Sequence, residues 1–403
     1  MTPRFPEISV STASPRRYRR VNPFRRFNRW FFLATALPVL TVGAVNVVID
    51  PYGVFATPLG KFNHSKPKLD NNDRLFKAIE ITRSQPRTIV MGSSRAKQGL
   101  DPGHPALAAH PPVYNLAING PNFYEQRRYL EHAIANQPEL KTIVLGIDFF
   151  AFNANLANQP TFAENRLEKR GLILTDFLNA VFSFDALAAS QATIAESFKE
   201  QQIENIYEQL GYLPNEATTD IDLIEWRFRE GVKLYFELHW DHQLSEAYLA
   251  DFAAIVRRCQ EKNIALKIFI SPAHATQWEA IRATGRWETF EDWKRRVVAI
   301  TPVWDFSGYN SVTTEAIASQ MQNYFDNSHY TKRVGDWVFD RVFDWEENQV
   351  PTDFGVLLTP ENIEAHLLRI REDRQRWAAA NPQQVQSVKQ LYEGKVQKKS
   401  KSR

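Results

Sequence analysis

Short apolar runs that alternate with amphipathic segments are the feature that most constrains the fold of this chain. The runs occupy residues 88–92, 112–117, 142–146, 265–270 and 303–306. The first of them, TIVMG, is nearly repeated by the third, TIVLG. Residues 123–136 and 244–262, which lie between runs, carry apolar side chains at helical spacing. Continuous apolar strands separated by amphipathic helices predict an α/β domain with a parallel sheet buried on both faces.

A charge-free run of twenty residues, 30–49, follows a basic N-terminal segment. A helix of this length is about 30 Å long, which is the thickness of the hydrocarbon core of a bilayer. The alternative, a cleaved signal peptide, has a shorter apolar core and a small-residue cleavage site, and neither is found here. We therefore predict an uncleaved transmembrane anchor over residues 30–49.

The basic segment sets the expected orientation of the anchor. Residues 1–29 contain eight Arg and one acidic residue. Arg on the short side of a membrane span remains in the cytoplasm. We expect residues 1–29 to be a cytoplasmic tail in the inner (cytoplasmic) membrane, with everything after the anchor periplasmic or extracellular.

The remaining chain divides by composition. Residues 50–85 are predicted to be a juxtamembrane connector and residues 86–350 the main domain. Residues 155–240 are rich in Gln, Glu, Asn and Phe and show no buried strand, which predicts a helical insertion that caps the site. Residues 351–403 are predicted to form a C-terminal helical extension and a basic tail.

Overall composition excludes several classes of protein. A net charge of only +3 gives no general affinity for nucleic acid. The single cysteine, Cys259, rules out an internal disulfide, so the fold must rest on its core. No glycine-rich phosphate-binding loop is present, and we predict no cofactor.

The first candidate for chemistry is Ser94, which lies in the sequence Gly-Ser-Ser-Arg directly after the first apolar run. A serine at the end of a parallel strand is exposed at the sheet edge, beside the N–H groups of the next helix. The alternative is an ordinary helix cap. Arg95, which follows, is a candidate for binding an anionic substrate group, with a plain salt bridge as the alternative.

The second candidate pair is Asp326 and His329. A carboxylate three residues before an imidazole can fix its tautomer, and the imidazole can then deprotonate a serine. The alternative is a polar loop before a helix.

Three further segments carry weaker candidates. Asn115, Asn119 and Gly120 lie where the second run closes and could present an amide and a backbone N–H to an oxyanion, although Asn-Gly is also a common turn. His274 ends the fourth run, where a substrate contact is expected. His239 and His242 have the spacing of metal ligands but lack a third ligand nearby, and we predict no metal site.

Taken in their order along the chain, these motifs resemble the SGNH (GDSL) hydrolase superfamily. Residues 92–94 correspond to the block that carries the nucleophile, and residues 115–120 to the block with the oxyanion glycine. Residues 145–148 resemble the Gly-x-Asn-Asp block, and residues 326–329 match the closing Asp-x-x-His. The resemblance implies a flavodoxin-like three-layer sheet with Ser94, His329 and Asp326 as its catalytic triad.

The chain also departs from the family pattern. Ser93 replaces the usual Asp of the first block, and Asp148 stands where the family has an oxyanion Asn. An ionised carboxylate cannot donate a hydrogen bond, so Asn119 or Asn153 would have to supply the third oxyanion donor, or the hole is weakened.

The anchored layout is similar to that of proteins that transfer D-alanyl groups to lipoteichoic acid and of anchored proteins of exopolysaccharide O-acetylation. The leading hypothesis is a serine acyltransferase or acylesterase acting on an envelope or extracellular polysaccharide, with a membrane O-acyltransferase as a candidate partner. One alternative is a non-catalytic accessory protein that binds glycan or a membrane partner, which Asp148 favours. The other is a plain esterase.

Overall fold

A six-stranded sheet lies at the centre of the computed structural model, which describes residues 24–58, 60–199, 210–215 and 218–401. The strand order is β2-β1-β3-β4-β5-β6. The strands are β1 (Thr88–Met91), β2 (Val113–Asn115), β3 (Thr142–Ile147), β4 (Ala265–Ile270), β5 (Val303–Asp305) and β6 (Val356–Leu358). The first five are parallel, and β6 pairs antiparallel with β5. The predicted α/β class is confirmed, but the sheet is mixed rather than wholly parallel.

The antiparallel edge strand corrects the prediction for the C-terminal region. Residues 351–403 contain the strand β6 as well as two helices. The strand has three residues and shows no sustained alternation of apolar and polar side chains, so no pattern signalled it.

The described residues form fourteen α-helices, which include those that cover the two faces of the sheet. They are α1 (Phe24–Ile49), α2 (Asp73–Ser84), α3 (Ser94–Gly99), α4 (Phe123–Asn136), α5 (Glu164–Leu167), α6 (Leu174–Phe182), α7 (Phe184–Ser197), α8 (Ile221–His239), α9 (Glu246–Glu261), α10 (Ala275–Ala283), α11 (Trp287–Ile300), α12 (Lys332–Phe343), α13 (Ile363–Ala380) and α14 (Pro382–Lys401).

Successive strand residues point to opposite faces, and each face has its own core. Ile89 and Ile143 join one cluster, with side chains from α4, α9, α10 and α11. Val90 and Val144 join the other, with side chains from α3 and α12. All four are fully buried, which explains why β1 and β3 are continuous apolar runs.

The helix α1 contains the predicted anchor. Within the described part of the chain it is the one helix long and apolar enough to cross a membrane. Its side chains are largely exposed up to Thr41, and one face of its last two turns is covered by α6 and α7.

The predicted insertion is helical in its described residues, where α5 to α8 lie and no strand is found. Its helices separate into two groups. α6 and α7 pack against α1, whereas α8 packs against α10 and α14. Ile224 and Phe228 of α8 join the same core as Val90, and Leu167 of α5 joins the core that contains Ile89.

Residues 50–85 are more than a connector. Asp50 is fully buried, and its carboxylate accepts hydrogen bonds from the backbone N–H groups of Val54 and Phe55 (2.8 and 3.2 Å). The helix α2 then packs against α4. This segment therefore joins α1 to the domain through fixed contacts.

Candidate active site

Ser94 begins a short helix at the carboxyl end of β1. Ser93 is the N-cap of α3, and its buried hydroxyl accepts a hydrogen bond from the N–H of Arg95 (3.3 Å). Ser94 is the first residue of that helix, so its own N–H has no intrahelical acceptor. Ser94 is half-buried, whereas Ser93 is fully buried. The two adjacent serines thus differ: one completes a helix cap and the other faces outward.

The predicted proximity of Ser94, His329 and Asp326 is observed. Ser94 Oγ lies 2.9 Å from His329 Nε2, and His329 Nδ1 lies 2.8 Å from Asp326 Oδ2. The side chains of His329 and Asp326 are each 23% exposed, so the site is open at its surface. This is the arrangement in which a carboxylate fixes the imidazole tautomer and the imidazole accepts a serine proton.

The backbone around Asp326 holds its carboxylate in place. The N–H groups of Ser328 and His329 donate to Asp326 Oδ1 at 2.6 and 2.8 Å. Burial on its own would raise the pKa of Asp326, but the His329 charge and these hydrogen bonds outweigh it and lower the pKa below its usual value. The carboxylate is therefore ionised when it contacts the ring.

The loop that carries the predicted oxyanion glycine lies beside the Ser94 turn. The N–H of Leu116 donates to Val90 O (2.7 Å) and that of Ile118 to Gly92 O (3.2 Å), so the loop continues along β1 past the end of β2. Gly120 follows with a φ of +51°, in the left-handed region that favours glycine. The loop therefore turns away at Gly120, next to the strand end that carries Ser94.

Asn115 does not present its amide to the site. The Asn115 side chain is fully buried, and its Nδ2 donates to Ala96 O and Leu100 O at 2.9 and 3.0 Å. Its Oδ1 accepts from the N–H of Ala117. The prediction of an oxyanion contact is wrong for Asn115, because its amide ties α3 to the loop instead.

Asn119 is also engaged behind the loop. Its Nδ2 donates to Asp70 Oδ1 (3.2 Å), and its Oδ1 accepts from Lys97 Nζ (2.5 Å). Asn153 is fully buried, and its Oδ1 accepts from the N–H groups of Asn155 and Gln243. The Asn119 amide is therefore not placed as the third oxyanion donor, whereas Asn153 Nδ2 is buried without a hydrogen-bond partner among the described residues.

A group of charged side chains, which was not predicted, supports residues 115–120, the proposed oxyanion loop, from behind. Lys77 on α2 is fully buried and donates to the carbonyls of Asn115, Ala117 and Gly211 (2.9, 2.5 and 2.8 Å). Asp73 Oδ2 accepts from the N–H of Asn119 (2.7 Å). These side chains fix the loop backbone, and no pattern signalled this role beyond several charges within residues 70–77.

The same group includes a second buried cation from α2. Arg74 Nη2 donates to Asn119 O (2.8 Å), and its Nε donates to Glu125 Oε2 (2.7 Å). Glu125 also accepts from the N–H of Gln159, whose side chain donates to Gly120 O (3.2 Å). The loop is thus held on both sides of Asn119.

Arg95 and Asp148 form a buried ion pair. Arg95 Nη1 lies 2.8 Å from Asp148 Oδ1, and Arg95 Nε donates to Ser328 Oγ (2.9 Å). The plain salt bridge considered for Arg95 is therefore present, and it links β1, β3 and the loop of His329. Asp148 Oδ2 and Ser271 Oγ are buried without a hydrogen-bond partner among the described residues, and both line a small, mostly apolar cavity.

His274 is placed as a structural residue. It is fully buried, and its Nδ1 accepts from Thr276 while its Nε2 faces Glu315 O at 2.8 Å. Burial lowers the pKa of His274 to about 4. Both ring nitrogens thus bond within the protein, and the contact of His274 with substrate stays a prediction.

His239 and His242 lie in the core. Burial lowers the pKa of His239 to about 3 and that of His242 to about 4. The ring of His242 stacks on Phe149, with centroids 3.9 Å apart. The described residues contain no group of three or more His, Cys, Asp or Glu side chains that could hold a metal ion.

A cavity of about 350 Å³ opens beside the loop that carries Asp326 and His329. Its lining includes the basic residues Arg227, Lys332 and Arg333 and the aromatic residues Tyr212, Tyr324 and Phe325. Ser94 and His329 are not in its lining. The cavity is therefore next to the loop of Asp326 and His329 but does not include the contact between Ser94 and His329.

Neither the protein-family models nor the sequences of curated proteins match this chain. The assignment of a function therefore rests on the order of the motifs and on the geometry of the site.

Proposed function

We propose that this chain is a membrane-anchored serine acyltransferase or acylesterase of the SGNH type. The observation that carries the proposal is the pair of contacts that link Ser94 to His329 (2.9 Å) and His329 to Asp326 (2.8 Å). The order of the five parallel strands supports it, because 2-1-3-4-5 is the flavodoxin-like order and places function at the carboxyl ends of the strands.

In the proposed reaction, Ser94 attacks the carbonyl carbon of an ester-linked acyl group. His329 Nε2 accepts the Ser94 proton as the Oγ–carbon bond forms, and returns it to the alcohol oxygen that leaves. The product of this half is an acyl-serine ester. A second hydroxyl, from a polysaccharide or from water, then attacks that ester with His329 as its base, and Ser94 is regenerated.

The negative charge of the tetrahedral intermediate needs donors near Ser94. The backbone N–H of Ser94 and that of Gly120 are the two proposed donors, since both lie where the ends of β1 and β2 meet. Asp148 cannot act as the third, because it is held by Arg95 and is an acceptor when ionised. One missing donor lowers the rate by about 10²–10³.

The anchor favours transfer over free hydrolysis. If α1 spans the inner membrane with the Arg-rich end in the cytoplasm, the domain lies outside and close to membrane-bound acyl donors. The basic and aromatic cavity beside the triad loop suits an acidic polysaccharide as the acceptor, because aromatic faces stack on sugar rings and Arg pairs with carboxylates.

A second candidate function is that of a non-catalytic accessory protein for polysaccharide assembly. The observation in its favour is Asp148, which occupies the position of a family oxyanion donor and is committed to a structural ion pair. In this case the fold and the cavity would bind glycan or a membrane partner, and the triad would be a remnant.

Fluorophosphonate labelling of the full chain in membranes separates the two. The acyl-enzyme proposal expects labelling of the native chain that is lost in Ser94→Ala and retained in Ser93→Ala. An unlabelled native chain would favour the accessory function. Turnover of p-nitrophenyl acetate without an added acceptor, at a rate that an acceptor polysaccharide does not change, would indicate a plain esterase.

A further inference from the structure

The helix α6 has an apolar stripe that is exposed at the protein surface. Its exposed apolar side chains are Leu174 (71% exposed), Phe177 (40%), Leu178 (45%) and Phe182 (39%). Their spacing of i, i+3, i+4 and i+8 places them along one side of the helix. Phe184, which begins α7, is 88% exposed. In a water-soluble domain such a stripe would face the core, and its exposure marks an interaction surface.

The charged residue of α6 is turned inward, together with Ala180 and Val181. The one charged residue of the helix, Asp176, is buried and accepts from Arg166 Nε and Nη2 at 2.6 and 2.8 Å. The exposed residues Lys169 and Arg170 lie shortly before α6. A helix with its charge neutralised inside, an apolar outer side and a basic N-terminal flank has the pattern of a helix that lies in a membrane interface.

Contacts with α1 give α6 a depth relative to the anchor. A Cβ added at Gly43 would lie 2.7 Å from Phe182 Cε1 and 3.0 Å from Val181 Cγ1, so the two helices touch there. Gly43 is six residues before Ile49, or about 9 Å along the helix axis. Because Arg29 precedes the charge-free run, a span of about 30 Å must extend to Ile49 and include Gly43.

A buried polar side chain fixes this contact. Asn46, also within the run, is fully buried, and its Nδ2 donates to Val181 O (2.9 Å) while its Oδ1 accepts from Ser190 Oγ (2.8 Å). An asparagine at this depth would be unsatisfied in lipid without α6 and α7, so these bonds hold the three helices together.

We infer that α6 is embedded in the same bilayer that α1 spans, with Leu174, Phe177, Leu178 and Phe182 in contact with lipid acyl chains. The exposed apolar surface of α1, which includes Leu37 (66%) and Leu40 (61%), continues onto this stripe, so one hydrocarbon layer covers both. The inference rests on the membrane anchor of the proposed function and is independent of the triad.

Collision-accessibility measurements on a spin label test this in proteoliposomes of the full chain. The chain has one cysteine, Cys259, which is fully buried, so the parent gives the background for single added cysteines. Leu178→Cys reports α6, and Leu37→Cys reports the lipid-facing side of α1. Leu368→Cys on α13, which is 53% exposed, is the matched control on the domain surface.

We expect the label at residue 178 to collide with oxygen and to lose access to a water-soluble nickel chelate, as at residue 37. The label at 368 should show the reverse. Chelate access at 178 equal to that at 368 would overturn the inference. A label at 178 that meets neither reagent would overturn it in favour of a protein partner. Chelate access at 37 would instead show that the anchor itself fails, whatever the result of fluorophosphonate labelling.

Discussion

Lys77 offers a sharp test of whether the loop behind Ser94 must be held for chemistry. The substitution Lys77→Met keeps an unbranched apolar stem of similar length and removes the ammonium group. Three backbone carbonyls, those of Asn115, Ala117 and Gly211, then lose their donor. Ala117 is three residues before Gly120, so the change acts on the backbone that leads to the proposed oxyanion donor.

The magnitude follows from two opposing contributions. Each buried carbonyl left without a donor costs about 1–3 kcal/mol. Against this, burial lowers the pKa of Lys77 well below its usual value, which shows that the folded state penalises the ammonium, and Met removes that penalty. With each of the three carbonyls at the lower end of this range, we expect a loss of about 3 kcal/mol in the free energy of unfolding.

The substitution should also lower the rate of the chemical step in the chains that remain folded. Misplacing one oxyanion donor lowers a rate by about 10²–10³, so fluorophosphonate labelling of Ser94 should slow by that order. Labelling is measured well below the denaturant midpoint, where the chain is folded. The control is Lys233→Met on α8, whose partly exposed side chain bonds Glu230 (2.7 Å) and should change stability by less than about 1 kcal/mol. A Lys77→Met chain that is less stable yet labels at the native rate would refute the positioning role.

Three further outcomes follow from the structure. Ser94→Ala should lose fluorophosphonate labelling without loss of stability. Ser93→Ala should keep labelling and lose about 1 kcal/mol of stability, because it removes the helix cap. The reverse pattern would mean that the nucleophile is Ser93. Burial lowers the pKa of His274 from 6.5 to about 4. Between pH 6.5 and 4, His274 is therefore protonated in the unfolded chain and neutral in the folded chain. Stability should therefore fall by about 3 kcal/mol between pH 6.5 and 4 on account of this residue, and urea titrations should find a shallower acid loss in His274→Gln. Alkaline phosphatase fused after residue 345 should be active, and an inactive fusion beside an active cytoplasmic reporter would reverse the orientation.

The sequence predicts those parts of the fold and of the site that depend on patterns of neighbouring residues. β1 and β3 are continuous apolar runs, so their existence and the strand-end position of Ser94 follow from local sequence. The meeting of Ser94 and His329 follows from topology, because parallel strands end at one edge. The antiparallel β6 escaped because three residues carry too little periodicity.

Side-chain direction was the second limit. Asn115 stands at the expected place in the chain, but its amide points toward α3, and only the packed structure decides that. Lys77 lies in a charged stretch that resembles a solvated helix face. Its burial is produced by contacts with Gly211, which is more than a hundred residues away in sequence. Tertiary contacts of this kind leave no trace in local spacing.

In the proposed arrangement, fixed contacts join the membrane helix to the nucleophile. Asp50, directly after α1, caps the turn to Val54, and Arg83 at the end of α2 donates to the carbonyls of Gly53 and Val54. The same helix α2 carries Lys77, which holds the oxyanion loop. A flexible linker would let the site sample many heights above the bilayer, whereas a helix that is held both to the turn after the anchor and to the site sets one height. An enzyme built this way can reach acyl donors only at that height. Lengthening the segment before Asp73 should therefore reduce transfer from membrane donors while leaving fluorophosphonate labelling unchanged. Equal loss of transfer and labelling would show that the contacts serve folding alone.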